Sequence, residues 1–376
     1  TANPDAPATY DILWVTTRAK LLISACLGHV WPCCRDRRPE LRPLCCCRLF
    51  YLASRLTRKK DFTVTYYYAC YGLQFASDLE MPELASIPSN DITADIEIRL
   101  APLEPTGPEG ALRINSNLWI GKQVLRLHVN GVARYEIRNG CEIRIDPLPD
   151  ANPLSLRLFL QGSALGALLM QRDHLVLHGN AIRIGDACMI CVGHSGAGKS
   201  TLAAAFLRRG YEILADDVVP IRADGHAIPG FPRIKLWQDA ADQLDIRTAG
   251  LSPILPDMDK YNLPLQRDEQ ALTPLPVRWI YLLDWHDADT LSIAPVKGTD
   301  GFKLLNSNTY RRHYLQDQED LTRHLKQCAD LTHQARLMHL RRPADKSLTP
   351  DDTINWLLTD MLSIDSRPNN IEGLMS

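Results

Sequence analysis

Between residues 62 and 145 apolar positions recur at every second residue over short runs, the period of a half-buried strand. Phe62 to Tyr71 is rich in Thr, Val and Tyr, and Asp95 to Leu100 reads DIEIRL. Leu118 to Ile137 and Cys141 to Ile145 continue the pattern around the turn pairs Asn130-Gly131 and Asn139-Gly140. The stretch predicts an antiparallel β-rich domain over residues 62–152, interrupted by prolines from Pro147 to Pro153. The period then changes. Leu154, Leu158, Leu160, Leu165, Leu168 and Leu169 fall at helical spacing and predict a helix over Leu154 to Arg172.

Strands and helices alternate from there on. His174 to Leu177 and Ala181 to Ile184 read as short strands, and Ala187 to Val192 as a fully apolar, buried one. Ser200 to Arg209 reads as a helix, Glu212 to Ala215 and Val218 to Ile221 as strands, and Val277 to Leu283 as a second buried strand. This order predicts an α/β sheet covered on both faces over residues 153–376. The five prolines between Ser252 and Pro276 predict a surface loop. Asp317 to Leu340 reads as a helix pair, and Asp351 to Leu362 as a terminal helix.

Residues 1–61 fit neither pattern. Positions 1 to 60 carry 11 Lys/Arg against 4 Asp/Glu, a balance of +7 that leaves −9 on the other 316 residues. They also hold six of the 11 cysteines: Cys26, Cys33, Cys34, Cys45, Cys46 and Cys47. Contiguous cysteines point different ways and chelate poorly, so a zinc site is not expected. Lipid attachment to this cluster is chemically possible. The reading adopted is a poorly structured basic leader, or an over-extended reading frame, since the chain begins at Thr1. Its longest apolar run, Leu21 to Trp31, is about half of the roughly 20 residues a spanning helix needs, so no membrane segment is expected. The remaining cysteines are scattered and odd in number, which argues against a disulfide framework and for a reducing, cytoplasmic compartment. With 42 basic and 44 acidic residues overall, the chain lacks the excess charge of a nucleic-acid coat.

Between the predicted strand Ala187 to Val192 and the helix from Ser200 lies Gly193-His194-Ser195-Gly196-Ala197-Gly198-Lys199-Ser200, a full G-x-x-x-x-G-K-[ST] phosphate loop. Glycines let the backbone curl so that successive N–H groups converge on phosphate oxygens, and the helix N-terminus adds partial positive charge. Lys199 reaches the β and γ phosphates, and the Ser200 hydroxyl can hold Mg²⁺. Asp216-Asp217, ending a predicted strand, can divide the remaining work, one carboxylate holding Mg²⁺ and the other taking a proton from a nucleophile. Asp284 is a rival for the metal role because it ends the apolar run Trp279 to Leu283. Arg233 and Lys235, at alternate positions of a strand, face one way and suit a triphosphate or an acidic substrate as well as they suit solvent.

Together, His178-Gly179, the phosphate loop and Arg209-Gly-Tyr-Glu-Ile-Leu-Ala-Asp216-Asp217 resemble the core of bacterial HPr kinase/phosphorylase. That family phosphorylates a protein serine and shares its loop arrangement with phosphoenolpyruvate carboxykinase. Tyr68 to Leu73 and Gly230 to Trp237 resemble HPr kinase-related proteins found beside peptide-modifying genes, including kinases of lasso-peptide precursors. The resemblance implies an α/β kinase domain over 153–376 preceded by a smaller β-rich domain, with ATP and Mg²⁺ as cofactors. It implies Asp216 as the base that takes the acceptor proton, Asp217 as its metal-proximal neighbour, and His178 close to Asp216, tuning or orienting it. Thr201 stands where the family has an acid, and no acidic metal ligand is found between Gly230 and Trp237. No phosphorylase loop signature is found either, so kinase activity is expected over phosphate removal. The expected function is transfer of the ATP γ-phosphoryl group to a serine of a peptide or small protein, by a chain able to form homo-oligomers. Two alternatives stay open: a nucleotide-dependent switch or scaffold without transfer, and a kinase of a small alcohol.

Overall fold

The computed structural model describes residues 65–88, 93–345 and 347–365, all within one compact unit, Thr63–Ser376. The expectations for residues 1–61, including the cysteine cluster and Leu21 to Trp31, lie outside the described residues. The protein is of mixed α/β class with several sheets. The first sheet contains β1 (Tyr66–Cys70), β2 (Leu73–Ser77), β3 (Ile96–Leu100), β4 (Leu112–Asn115), β5 (Leu118–Gly121), β6 (Val124–Val129), β7 (Ala133–Arg138) and β8 (Glu142–Pro147). Its order is β1-β2-β3-β8-β7-β6-β5-β4. It is not wholly antiparallel as expected: β3 runs parallel to both β2 and β8. A parallel neighbour needs a connection longer than a turn. The stretch between Ser77 and Ile96 supplies one, and the β4 to β7 meander supplies the other.

The predicted helix forms in two α segments, α1 (Pro153–Phe159) and α2 (Leu165–Gln171), joined by a π turn over Leu160–Ala164. Asn152 caps its start by accepting a hydrogen bond from the Leu154 N–H, with Pro153 at the first helical position. By length and composition Pro153–Gln171 could cross a bilayer, but 67% of it is buried, as in the core helix of a folded domain. It packs Leu160, Leu165, Leu168 and Leu169 against Ile98, Ile137 and Ile143 of the first sheet, so elements on both sides of residue 152 share one core. Gly162 and Gly166 lie against Tyr310, where an added Cβ would come within 2.9 Å of the hydroxyl or 2.8 Å of the ring.

The second sheet holds β9 (Leu175–Leu177), β10 (Gly179–Ile184), β11 (Ala187–Val192), β12 (Ile213–Asp216), β13 (Val219–Ile221) and β14 (His226–Ala227). After β15 (Arg233–Trp237) and β16 (Lys260–Pro264), which form a separate two-stranded sheet, β17 (Leu275–His286), β18 (Ser292–Pro295) and β19 (Arg336–Pro343) complete it. β11, β17 and β19 run parallel. Alternate side chains of β11 enter different cores: Met189 and Cys191 meet Phe206 of α3 (Lys199–Arg208), while Ile190 and Val192 share the opposite core with Leu305 and Leu331. Coverage of both faces, expected from the apolar strands, is what the structure shows. The other helices are α4 (Gln238–Gln243), α5 (Thr299–Ser307), α6 (Gln318–Gln334) and α7 (Pro350–Asp365).

Two expectations need correction. The stretch from Asp317 to Leu340 is one helix, α6, followed by β19, which pairs with β17 and β18. The loop from Ser252 to Pro276 contains β16, which pairs with β15 and brings Lys260 opposite Trp237. The five cysteines in the described residues are free thiols.

Candidate active site

The phosphate loop joins β11 to α3. Gly193 (φ +146°), Gly196 (φ +84°) and Gly198 (φ +81°) take backbone angles that favour glycine. At Gly193 a Cβ would also lie 2.6 Å from the Leu283 carbonyl oxygen of β17, a distance that excludes any side chain. His194 and Ser195 are exposed at the crest of the loop, Ala197 is buried beneath it, and Ser200 and Thr201 are half-buried in the first turn of α3. The Lys199 ammonium bends back over the loop and donates to the carbonyls of Gly193 at 2.8 Å and His194 at 3.0 Å. Burial lowers its proton affinity, and Asp216 and Asp217 oppose that shift.

The two adjacent aspartates meet different surroundings. Asp216 ends β12, where its Oδ2 accepts the Lys235 backbone N–H at 2.8 Å and its Oδ1 lies 3.5 Å from the Asn180 amide nitrogen. Burial raises its pKa above the ordinary value, and the charge of Asp217 adds to the rise. Asp217, at φ +72°, turns the chain away from the strand. Its carboxylate pairs with the Lys235 ammonium at 2.5 Å and with His178 Nδ1 at 3.3 Å. Burial alone would raise its pKa, yet Lys235 and His178 together hold it well below the usual carboxylate range. His178, expected close to Asp216, lines the same chamber as Asp216 and makes its direct contact with Asp217. Asp217, expected to hold metal, already has an ammonium as its partner.

Asp284, the rival metal ligand, lies between His194 Nε2 at 3.6 Å and His339 Nε2 at 3.4 Å. Burial acts to raise its pKa, but the Trp285 N–H and the two histidines bring it below the ordinary value. Behind the loop, Arg342 stacks over Trp285 at 4.0 Å and donates to the Ala197 carbonyl, while Trp285 Nε1 donates to the Gly196 carbonyl at 3.2 Å. Arg233 is buried over the Phe231 ring at 5.0 Å, so of the predicted basic pair only Lys235 reaches the aspartates.

Lys199, Ser200, Thr201, Asp216, Asp217 and Lys235 line a chamber of about 130 Å³. It adjoins a cavity of about 850 Å³ that shares His178, Asp217 and Lys235 and extends to Phe159, Tyr310 and Arg311. Sequence reasoning missed two chamber residues, Lys260 and Asp239. Lys260 is delivered by β16, a strand hidden among prolines. Asp239 lies two residues beyond the segment in which an acid was sought. The oxygens of Ser200 and Asp239 in one chamber suit a single Mg²⁺, which usually takes one or two protein ligands and completes its shell with phosphate and water.

No family model matches the chain. HPr kinase/phosphorylases from two strains of Clostridium botulinum are each 29% identical to it over 118 residues, 31% of this chain and 36% of theirs. The match therefore spans about a third of the length of these curated relatives. A solved HPr(Ser) kinase/phosphatase from Coxiella burnetii aligns with 51% of this chain and 94% of its own, at 12% identity and a TM-score of 0.24. Over these 118 residues the chain is similar in sequence to HPr kinase/phosphorylases.

Proposed function

We propose that the chain is a kinase that transfers the γ-phosphoryl group of Mg·ATP to a serine hydroxyl of a peptide or small protein, on a kinase domain of the HPr kinase and phosphoenolpyruvate carboxykinase type. The observation that carries this is Asp216: a half-buried carboxylate of raised proton affinity in the same chamber as Lys199 and Ser200. In the reaction the acceptor hydroxyl gives its proton to Asp216 and its oxygen bonds to the γ-phosphorus. The bond from that phosphorus to the bridging oxygen breaks, and ADP leaves. Lys199, the amides of the loop and the N-terminus of α3 neutralise the phosphates. Ser200 and Asp239 would hold Mg²⁺, which supplies further charge neutralisation. Lys235 and His178 keep Asp217 ionised beside the base, a fixed negative charge that raises the proton affinity of Asp216. The free thiols in the described residues support a reducing, cytoplasmic setting.

Asp216→Asn keeps the shape of the carboxylate and cannot take the proton. The variant is expected to bind Mg·ATP with an affinity within about threefold of the parent chain, while transfer of labelled phosphate to serine peptides falls by at least about a hundredfold. Transfer that persists in the variant would remove Asp216 from the role of base. Binding of ATP with no transfer by the parent chain to any peptide or small alcohol would favour a nucleotide-dependent switch.

A further inference from the structure

Asn180 is a polar residue in a place that the packing gives to apolar ones. It lies in β10, opposite Cys191 of β11 on one side and opposite Asp216 of β12 on the other. Directly opposed residues share a face, and Cys191 and Ile182 pack with Phe206 of α3, so the Asn180 side chain lies on the α3 side of the sheet. An added Cβ at Gly179 would collide with the Cys191 carbonyl oxygen, so β10 is pressed against β11 just before Asn180 and fixes where its side chain starts. The Asn180 side chain is fully buried, and its Oδ1 has no hydrogen-bond partner among the described residues. Its Nδ2 meets one acceptor there, Asp216 Oδ1, at 3.5 Å. A buried acceptor left unpaired costs stability, which an apolar side chain at this position would avoid.

We propose that Asn180 is a positioning residue for the base: its amide holds Asp216 Oδ1 in the orientation from which that oxygen takes the acceptor proton. The inference rests on the reading of Asp216 as base. The two carboxylate oxygens are held differently. Oδ2 accepts the Lys235 backbone N–H at 2.8 Å, whereas Oδ1 meets only Asn180 among the described residues. With one anchor the carboxylate could swing about its Oδ2 bond. The second anchor, on the neighbouring strand, stops the swing and leaves a lone pair of Oδ1 for the proton. Asp216 lines the phosphate chamber and Asn180, fully buried, does not reach it, so Asn180 acts through the base and touches no substrate. The residue type fits the task. A neutral amide orients a carboxylate without neutralising it, whereas lysine or arginine would lower its proton affinity and a second carboxylate would repel it. A contact of 3.5 Å is long, and hydrogen bonds to catalytic groups commonly tighten only when substrate is bound.

The test is a double-mutant cycle on the full chain, followed by transfer of labelled phosphate to a serine peptide, with each variant first checked by circular dichroism and for a cooperative melt. Asn180→Leu, nearly isosteric and without a donor, is expected to lower kcat about tenfold, the worth of one hydrogen bond, with KM for ATP and peptide within about twofold of the parent chain. Asn180→Ser keeps a donor and leaves room for a bridging water, and its kcat is expected to lie within about threefold of the parent. In the Asp216→Asn chain, adding Asn180→Leu is expected to change the residual rate by less than about twofold, because the group it positions is gone. Equal losses in the Leu and Ser variants, a raised KM in place of a lowered kcat, or a further tenfold loss in the Asp216→Asn chain would overturn the proposal. A second measurement needs no transfer. In the NMR spectrum of chain labelled with ¹⁵N-asparagine, the side-chain amide signal missing from Asn180→Ser belongs to Asn180. One of its protons is expected downfield, as for an amide bonded to a carboxylate, and expected to return upfield in Asp216→Ala. A signal that does not move would remove the pairing. A chain that transfers no phosphate loses the kinase reading and the base with it, while the amide signal still shows whether Asn180 holds Asp216.

Discussion

At the scale of single residues, Asp216 and Asp217 show how one peptide bond can separate two chemistries. Asp216 stays in the strand, half-buried and held by a backbone N–H, and its pKa rises. Asp217 takes a left-handed conformation that aspartate tolerates better than most residues, and this swings its carboxylate onto Lys235 and His178. A carboxylate whose folded pKa lies below its ordinary value near 3.8 contributes stability that is complete above about pH 4. That contribution is lost as pH falls through the lower folded value, because the unfolded chain binds the proton more readily. Urea unfolding between neutral and acidic pH should therefore show a shallower acid loss in Asp217→Asn than in the parent chain. Lys235→Met, which strands the buried carboxylate, should cost about 3 kcal/mol at neutral pH. Identical acid limbs in Asp217→Asn and the parent chain would mean that the pair does not shape the titration. The adjacent acids were readable in the sequence, but their unequal roles were not. Lys235 arrives from 18 residues away because the Gly230 N–H donates to the Leu214 carbonyl and lays the following strand beside β12.

At the scale of elements, the strand, loop and helix that hold phosphate are locally encoded. Ala187 to Val192 is apolar throughout, glycines follow where the backbone must curl, and α3 starts at Lys199. The reason for Gly193 itself is tertiary, since it is the carbonyl of Leu283 on the neighbouring strand that excludes a Cβ. Gly196 needs its backbone angle but meets nothing within 4 Å. Gly193→Ala is accordingly expected to lower the melting temperature and weaken ATP more than Gly196→Ala, by about 1–3 kcal/mol against about 1 kcal/mol in stability. Equal effects would show that backbone angle alone governs both sites. The misread stretch Asp317 to Leu340 makes the complementary point. Ala335 and Met338 follow Leu331 at the i+4 and i+7 positions and prolong the apolar spacing of α6, so periodicity does not reveal the break at Ala335. The exposed edge of β17, which β19 covers, supplies the reason for it.

At the scale of the whole molecule, the described residues form a compact unit with cores on both faces of the second sheet and a further core under the first. A chain beginning at Asp61 is expected to keep a cooperative melting transition and to bind ATP within about twofold of the full chain. The reason is compositional: residues 1 to 60 show no sustained strand or helix period beyond Leu21 to Val30, and so offer little apolar surface to offset the entropy of ordering. Precipitation of the shortened chain, or loss of nucleotide binding, would show that the basic segment packs on the rest. Across the molecule, the sequence by itself determined what depends on neighbours along the chain: the phosphate loop, the buried strand before it, the helix after it and the acids closing β12. These rest on spacing and backbone freedom, which are local. Tertiary structure alone decided the parallel pairing of β3, the placing of Lys235, Lys260 and Asp239 in one chamber, and the partnership of His178 with Asp217. Each of these depends on strands distant in sequence meeting in one sheet or one cavity, and the local alternation of residues does not carry that information.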